Sequence, residues 1–247
     1  HLSSLVSQYF ERARKIGVDF NQSKLRLIIW GGEPLAGTVR RKVESDYAVS
    51  LRTIYGSTET GSFAAGCEQQ GGMHILADHC IVEIIDPQTK QTLDPGEEGE
   101  IVVTMLHSEA MPLIRYRTGD IGSLLPCEPC PCGRTHPRLS TVKGRVAHII
   151  RVGGKKLLPI DIEEVIASIS DLGNQYQIII GNSRELDRLK VKVETRPGVG
   201  ELTKLKEQAE EALYQRLGID GEAELLPSGS LSPALFKAQR LVITQDA

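Results

Sequence analysis

The sequence predicts a two-part chain of mixed α/β and α+β class, and three observations carry that expectation. Between Leu25 and Tyr55 an apolar strand, a glycine turn, an amphipathic stretch and a second strand follow one another. From Ile81 to Leu125 the pattern changes to short strands separated by turn clusters such as DPQTKQTLDPGEEG. After Lys143 the composition resets into a compact mixture of hairpin, helices and strands. The expected division is residues 1–143 and 144–247.

Taken in order, Ser3 to Ile16 has Leu5, Tyr9, Ala13 and Ile16 at helical spacing with Gly17 where a helix stops, which predicts a surface helix. Leu25 to Trp30 reads as a strand, Leu35 to Tyr47 as a helix and Val49 to Tyr55 as a strand. In such a β, turn, α, β unit ligands collect beyond the carboxyl ends of the strands. The segments IVEIID, GEIVVTML and DIGSLL predict a small antiparallel barrel or sheet. VAHIIRVGGKKLLP reads as a hairpin, and Pro159 to Ile169 as a helix with proline in its first turn. YQIIIG and RLKVKVET read as strands, Leu202 to Leu217 as a charged helix, with short strands beyond Ala223. There are no internal repeats.

Composition narrows the function classes. A net charge of −3, with acids and bases interleaved, leaves no basic stripe of the kind that tracks nucleic acid. No apolar run approaches a membrane span, and no secretion signal is evident, so a cytoplasmic enzyme without nucleic-acid or membrane partners is expected. Of the five cysteines, Cys127, Cys130 and Cys132 are crowded together, which fits metal binding better than a disulfide framework.

Two segments carry the chemistry. YGSTETG, Tyr55 to Gly61, holds hydroxyls and a carboxylate, and RYRTGD, Arg115 to Asp120, sets two arginines beside an aspartate. Together they suit a nucleotide: Ser57 and Thr58 as donors, Glu59 as magnesium ligand, Arg115 and Arg117 as cations, and Asp120 as acceptor for sugar hydroxyls. Each also has a plainer reading, a loop satisfying its own backbone or a surface salt bridge.

With GGEPL at Gly31 to Leu35 before them, PCPCGRTHPR after them and a lysine in FKAQR near the end, these segments resemble, in order, the acyl-adenylate-forming (AMP-binding) superfamily. The wording LRLIIWGGEPL, MPLIRYRTGD and PCPCGRTHPR is most similar to its phenylacetate-CoA ligase branch. The resemblance covers about Leu25 to Val242. It implies that residues 1–143 are the C-terminal part of a large AMP-binding domain and 144–247 a small mobile C-terminal domain. The phosphate-wrapping loop of the family is not found between His1 and Ile29, and the chain begins with His1, so the expectation is roughly the C-terminal half of a longer enzyme, inactive alone.

The resemblance also implies roles. Tyr55 packs against adenine beside Gly56 and Ser57, Thr58 donates to the α-phosphate and Glu59 holds magnesium. Gly31, Gly32 and Glu33 contact adenine, Asp120 accepts from both ribose hydroxyls, and Arg145 reaches the nucleotide from the hinge. Lys237 bridges acid and α-phosphate during adenylation, as one compact cation suits charge spread over attacking and phosphoryl oxygens. The loop at Arg151 to Lys156, with Gly153 and Gly154, admits the pantetheine thiol. Cys67, His74, Cys130 and Cys132 form a structural zinc set, with thiolate and imidazole favouring tetrahedral coordination. Cys127 is a near spare, His79 and His136 are reserves, and Cys80 is a core residue.

Two positions depart from the pattern: Ala147 stands where the hinge usually has aspartate, and Phe236 where a glycine precedes the lysine. The expected function is ATP-dependent, AMP-forming activation of a carboxylic acid, an aryl acid such as phenylacetate, and its transfer to coenzyme A. A homodimer stays open. The rivals are an adenylyltransferase to a non-CoA acceptor of the coenzyme F420 type, and a non-catalytic nucleotide-binding module.

Overall fold

The computed structural model describes residues 9–10, 12–13, 15–18, 20, 23–181, 185–231 and 240–244. The expected Ser3–Ile16 helix falls largely outside them, as does Lys237 with its neighbour Phe236. The chain divides into two units, one built mainly on Val43–Ala147 and the other on His148–Ala247.

In the first unit the strands are β1 (Leu27–Trp30), β2 (Ser50–Ser57), β3 (Gly61–Gly66), β4 (Met73–Ile75), β5 (Cys80–Ile85), β6 (Gly99–Met105), β7 (Tyr116–Gly122), β8 (Arg138–Leu139) and β9 (Gly144–Arg145). Helix α1 (Gly37–Tyr47) joins β1 to β2, which pair in parallel as the β-α-β pattern predicts. Leu35–Lys42, which lead into and begin this helix, group with the second unit. Phe10 and Tyr47 stack with centroids 4.2 Å apart, and Phe20 meets both rings edge-on.

One sheet has the order β1-β2-β3-β4-β8 and the other β5-β6-β7-β9. A core of Phe63, Met73, Ile75, Ile84, Ile101, Val103 and Leu139 draws side chains from both sheets. The run from Gly99 to Val103 is buried residue after residue, as a strand flanked on both edges and covered on both faces must be. The region expected as a barrel or sheet is an open sheet among the described residues. Its edge strand β9 has two residues, too short for the tilt and stagger that closure needs.

The second unit contains β10 (Ile150–Val152), β11 (Lys155–Leu157), α2 (Pro159–Ala167), β12 (Leu172–Ile180), β13 (Glu185–Leu186), β14 (Leu189–Thr195), α3 (Leu202–Leu217), β15 (Gly221–Leu226) and β16 (Leu241–Ile243). The hairpin β10–β11 turns on Gly153 and Gly154, both at positive φ (53° and 79°), the pair of values that a two-residue turn of matching twist requires. Pro159 opens α2, where its missing N–H costs nothing, while the Asp161 side chain accepts from the Leu158 N–H. Helix α3 ends on Gly218 in the left-handed region, its last carbonyls bound by Lys155 Nζ.

The main sheet of this unit runs β15-β14-β12-β16, a central antiparallel pair with a parallel strand on each side. Alternating burial along β12 and β14 turns Tyr176, Ile178, Ile180, Val191 and Val193 toward Ile162, Val165, Leu205 and Leu213 of the two helices. Among the described residues no helix is long and apolar enough to cross a membrane.

Candidate functional site

Tyr55, Gly56 and Ser57, expected in a turn, lie on β2, and the chain reverses only over Thr58–Thr60 before β3. The hairpin closes because Gly56 has no side chain: a Cβ there would sit 2.0 Å from the Gly61 carbonyl oxygen and 2.6 Å from Ser62 Cα. The Ser57 and Thr60 hydroxyls lie 3.1 Å apart, and the Ser57 N–H donates to Thr60 Oγ1 at 3.2 Å. Ser57 thus helps hold the turn together, and Thr58 and Glu59 are exposed at its tip. The Ser57 hydroxyl, first among several causes, holds the Glu59 carboxyl below the usual carboxylate range.

RYRTGD likewise lies mostly within β7 rather than before a strand. Its two arginines are already paired: Arg115 Nε sits 3.2 Å from Glu83 Oε2, and the Arg117 guanidinium donates twice to Glu100 Oε2, from Nε at 2.9 Å and from Nη2. Asp120 faces the other way. Its Oδ2 accepts from the Tyr55 hydroxyl at 2.9 Å and its Oδ1 lies 3.2 Å from Arg145 Nε. Arg145 stands opposite Asp120 in the β7–β9 ladder, and its Nη2 also donates to the Thr118 carbonyl at 2.9 Å.

Burial raises the Tyr55 phenol far above its ordinary range and the Asp120 carboxylate adds to that, so Tyr55 stays a neutral donor. The Arg145 cation lowers both the Tyr55 and the Glu59 values, though it is the smallest cause for each. Its field therefore reaches the hairpin tip as well as β7. Gly31, Gly32 and Glu33 follow β1, whose last residue Trp30 pairs with Thr53, so this turn stands beside the part of β2 leading to Tyr55.

The structure thus assembles Tyr55, Asp120 and Arg145 by direct contact. It adds an exposed hydroxyl at Thr58 and an exposed carboxylate at Glu59. A carboxylate oxygen accepts more than one donor, so Asp120 is the type of group that can take a pair of hydroxyls. Gly153 and Gly154 belong to the second unit, where a Cβ on either would meet nothing within 4 Å. Sequence reasoning did not single out Glu100 and Thr118, both buried beneath Asp120; a strand beginning GE opposite RTGD was the available signal.

A second cluster lies in the first unit. Cys67 follows β3, His74 lies on β4, and Cys130 and Cys132 come from the loop between β7 and β8. The four ligand atoms all lie within 4.8 Å of one another. Cys67 and Cys130 sulfurs are 3.7 Å apart, and Cys132 Sγ is 3.4 Å from His74 Nε2. With Zn–S near 2.3 Å and Zn–N near 2.0 Å, the edges of a tetrahedral shell are about 3.5–3.8 Å.

The donor set therefore fits a four-coordinate, thiolate-rich metal. Burial pushes the Cys67 thiol up and the His74 imidazole down, which keeps the imidazole a neutral ligand. The Arg134 backbone amide, then its guanidinium, brings Cys132 down to about 7. Cys80 is a buried core residue with its thiol pushed up to about 11 by burial, and Cys127 is exposed.

Comparisons with known proteins give matches along most of the chain. Residues 3–106 match the model of the AMP-binding enzyme family, and residues 154–244 that of the AMP-binding enzyme C-terminal domain. The phenylacetate-coenzyme A ligase of Thermus thermophilus is 36% identical over 187 residues, 74% of this chain and 42% of that protein. That of Escherichia coli is 31% identical over 239 residues, 94% and 54% respectively. The crystal structure of 2-hydroxyisobutyryl-CoA ligase in the postadenylation state superposes with a TM-score of 0.91 at 26% identity, covering 98% of this chain and 53% of that one. This chain spans about half the length of the curated relatives it matches.

Proposed function

The chain belongs to the AMP-binding enzyme superfamily, with phenylacetate-CoA ligases among its homologues, and we propose that it supplies the ribose site and the small C-terminal domain of an acyl-CoA ligase. The reaction begins with a carboxylate oxygen attacking the α-phosphorus of ATP, which releases pyrophosphate and leaves an acyl-adenylate. The thiol of coenzyme A then attacks the acyl carbon and AMP leaves. An aryl acid such as phenylacetate is the preferred substrate, on the names of the relatives.

The observation that carries the reading is the contact of Tyr55 and Arg145 with the two oxygens of Asp120. An acceptor-only carboxylate oriented from both sides, beside an aromatic ring, suits a ribose with its base. Thr58 at the hairpin tip donates to the α-phosphate. Glu59 would hold Mg²⁺, which when bound neutralises phosphate charge. Arg145 adds a cation at the same face, and Lys237, outside the described residues, is the lysine that neutralises the attacking acid. Residues 1–143 belong to the large domain. Residues 144–247 form the mobile one, whose Gly153–Gly154 turn admits the thiol.

Cys67, His74, Cys130 and Cys132 would hold a structural Zn²⁺, which when bound ties the β3–β4 corner to the loop before β8. A module that binds nucleotide without turnover is favoured by Ala147 and Phe236, the two departures from the family pattern.

The test is made on the native polypeptide containing this sequence. Incubated with ATP, Mg²⁺, phenylacetate and coenzyme A, it should yield phenylacetyl-CoA and AMP in equal amounts. Lys237→Ala should lose adenylate formation and keep thioester formation from supplied acyl-AMP. An adenylylated acceptor in place of the thioester would transfer the reading to the adenylyltransferase rival, and nucleotide binding without any product would leave the module.

A further inference from the structure

We infer that Glu100, through the backbone of Gly119, is the positioning residue that sets the Asp120 carboxylate for a vicinal sugar diol. The inference rests on the nucleotide reading of Asp120 given above.

The argument starts from the ladder. On β6 and β7, Glu100 pairs with Ile121 and Val102 with Arg117, so a two-residue step on one strand spans a four-residue step on the other. Thr118, Gly119 and Asp120 are therefore bulged out of register. Gly119 takes φ +75°, a left-handed conformation that turns the strand at the residue before Asp120. A bulge costs ladder hydrogen bonds, and buried backbone groups left without partners are expensive.

Side chains replace them here. Glu100, 2% exposed, accepts the Gly119 N–H on Oε1 at 3.2 Å and the Arg117 guanidinium on Oε2. Thr118, 7% exposed, donates its hydroxyl to the Ile101 carbonyl at 2.9 Å and accepts the Asp120 N–H at 3.1 Å. Asp120 is thus fixed from beneath by Glu100 and Thr118, while its carboxylate meets Tyr55 and Arg145 on the other side.

Glu100 also ties up Arg117, holding the guanidinium beside the bulge. A buried carboxylate is costly to assemble unless its oxygens are satisfied, and here one donor comes from the bulge at Gly119 and two from Arg117, which flanks it. A carboxylate offers an acceptor on each of its two oxygens. Glutamine has one oxygen and one NH2, and its NH2 would face either the guanidinium or the Gly119 N–H, donor against donor.

The experiment compares AMP with 2′,3′-dideoxy-AMP, using the native polypeptide and its Glu100→Gln variant, with thermal melting to show that each is folded. The variant should bind AMP about tenfold or more weakly while its affinity for the dideoxy nucleotide, which has no hydroxyls for Asp120, changes less than about twofold. Amide exchange in the peptide spanning 116–122 should accelerate in parallel. Glu100→Asp keeps the charge but withdraws it by one methylene, and it carries the same expectation if the Gln variant does not fold.

Equal weakening of both nucleotides would overturn the inference in favour of a general structural role, and unchanged AMP affinity would overturn it outright. If the unmutated protein itself does not distinguish the two nucleotides, the ribose reading of Asp120 fails. Exchange at 116–122 then decides the positioning by itself, and unchanged exchange in the variant overturns it.

Discussion

The Tyr55 hydroxyl donates to Asp120 Oδ2 at 2.9 Å, joining two motifs 65 residues apart in the chain. The bond is directional in its consequences. Tyr55 is held as a neutral donor, so Asp120 is the acceptor of the pair, and Arg145 lies against its other oxygen. The Arg145 side chain is 57% exposed, so the ion pair contributes orientation more than stability.

Asp120→Ala should raise the ATP requirement of the native enzyme by an amount matching about 1–3 kcal/mol, the range for hydrogen bonds to a charged group. Asp120→Asn keeps one acceptor oxygen and should lose less. ATP saturation curves for the three proteins check this, and an unchanged curve for Asp120→Ala would remove the residue from the site.

The pH dependence follows from the phenol. Its folded value lies above the ordinary 10.0, so below that pH the neutral phenol is present in both states and its contribution to stability is complete. As pH rises above about 10 the unfolded chain ionises first, and that contribution is lost. Tyr176, fully buried against Pro159 and Glu163, behaves in the same sense. Tyr55→Phe should therefore show a shallower fall in Tm than the parent above about pH 10. Thermal melts across the alkaline range are the measurement, and parallel curves for parent and variant would contradict the assignment.

Two glycines offer a contrast between crowding and conformation. At Gly56 an added Cβ would collide with the Gly61 carbonyl, backbone that cannot step aside without opening the β2–β3 hairpin. Gly154 stands in open space, and only its φ of 79° resists a side chain. Gly154→Ala should accordingly cost about 1–2 kcal/mol. Gly56→Ala should cost more, about 3 kcal/mol or above, and should also weaken nucleotide binding by displacing Tyr55. Chemical denaturation of both variants decides it, and equal losses would mean that the hairpin yields more easily than its geometry implies.

Much of the fold was legible because periodicity reports burial. The parallel β1–β2 pair, the glycine hairpin at 153–154 and the two later helices all follow from local pattern and turn chemistry. YGSTETG read as a turn because its small polar residues suit one. That β2 continues through Ser57 depends on a partner strand, SFAAG, with too little alternation to be noticed. The arginines of RYRTGD read as free cations for a similar reason, since Glu83 and Glu100 become their partners only through pairing across β5, β6 and β7. Tyr55, Asp120 and Arg145 were legible as types; their mutual contacts depend on the bulge at Gly119, which no local spacing encodes.

The Cys67, His74, Cys130 and Cys132 cluster predicts about one equivalent of zinc in protein purified without added metal. The sulfur separation of 3.7 Å is too long for a disulfide, whose S–S distance is about 2.05 Å, and it matches an edge of a zinc shell. Cobalt substituted into the site should give the visible absorption of tetrahedral thiolate coordination. Because the ligands come from the end of β3, from β4 and from the loop before β8, chelation should release three separate pieces of the first unit. A stabilisation of a few kcal/mol lost in a domain of this size corresponds to a Tm lower by roughly 10 °C. Cys130→Ser should lose both the metal and that increment. Cys127→Ser, altering an exposed thiol outside the cluster, should lose neither. A well-folded preparation with no metal, melting at the same temperature with and without chelator, would leave the four residues as an ordinary buried thiol cluster.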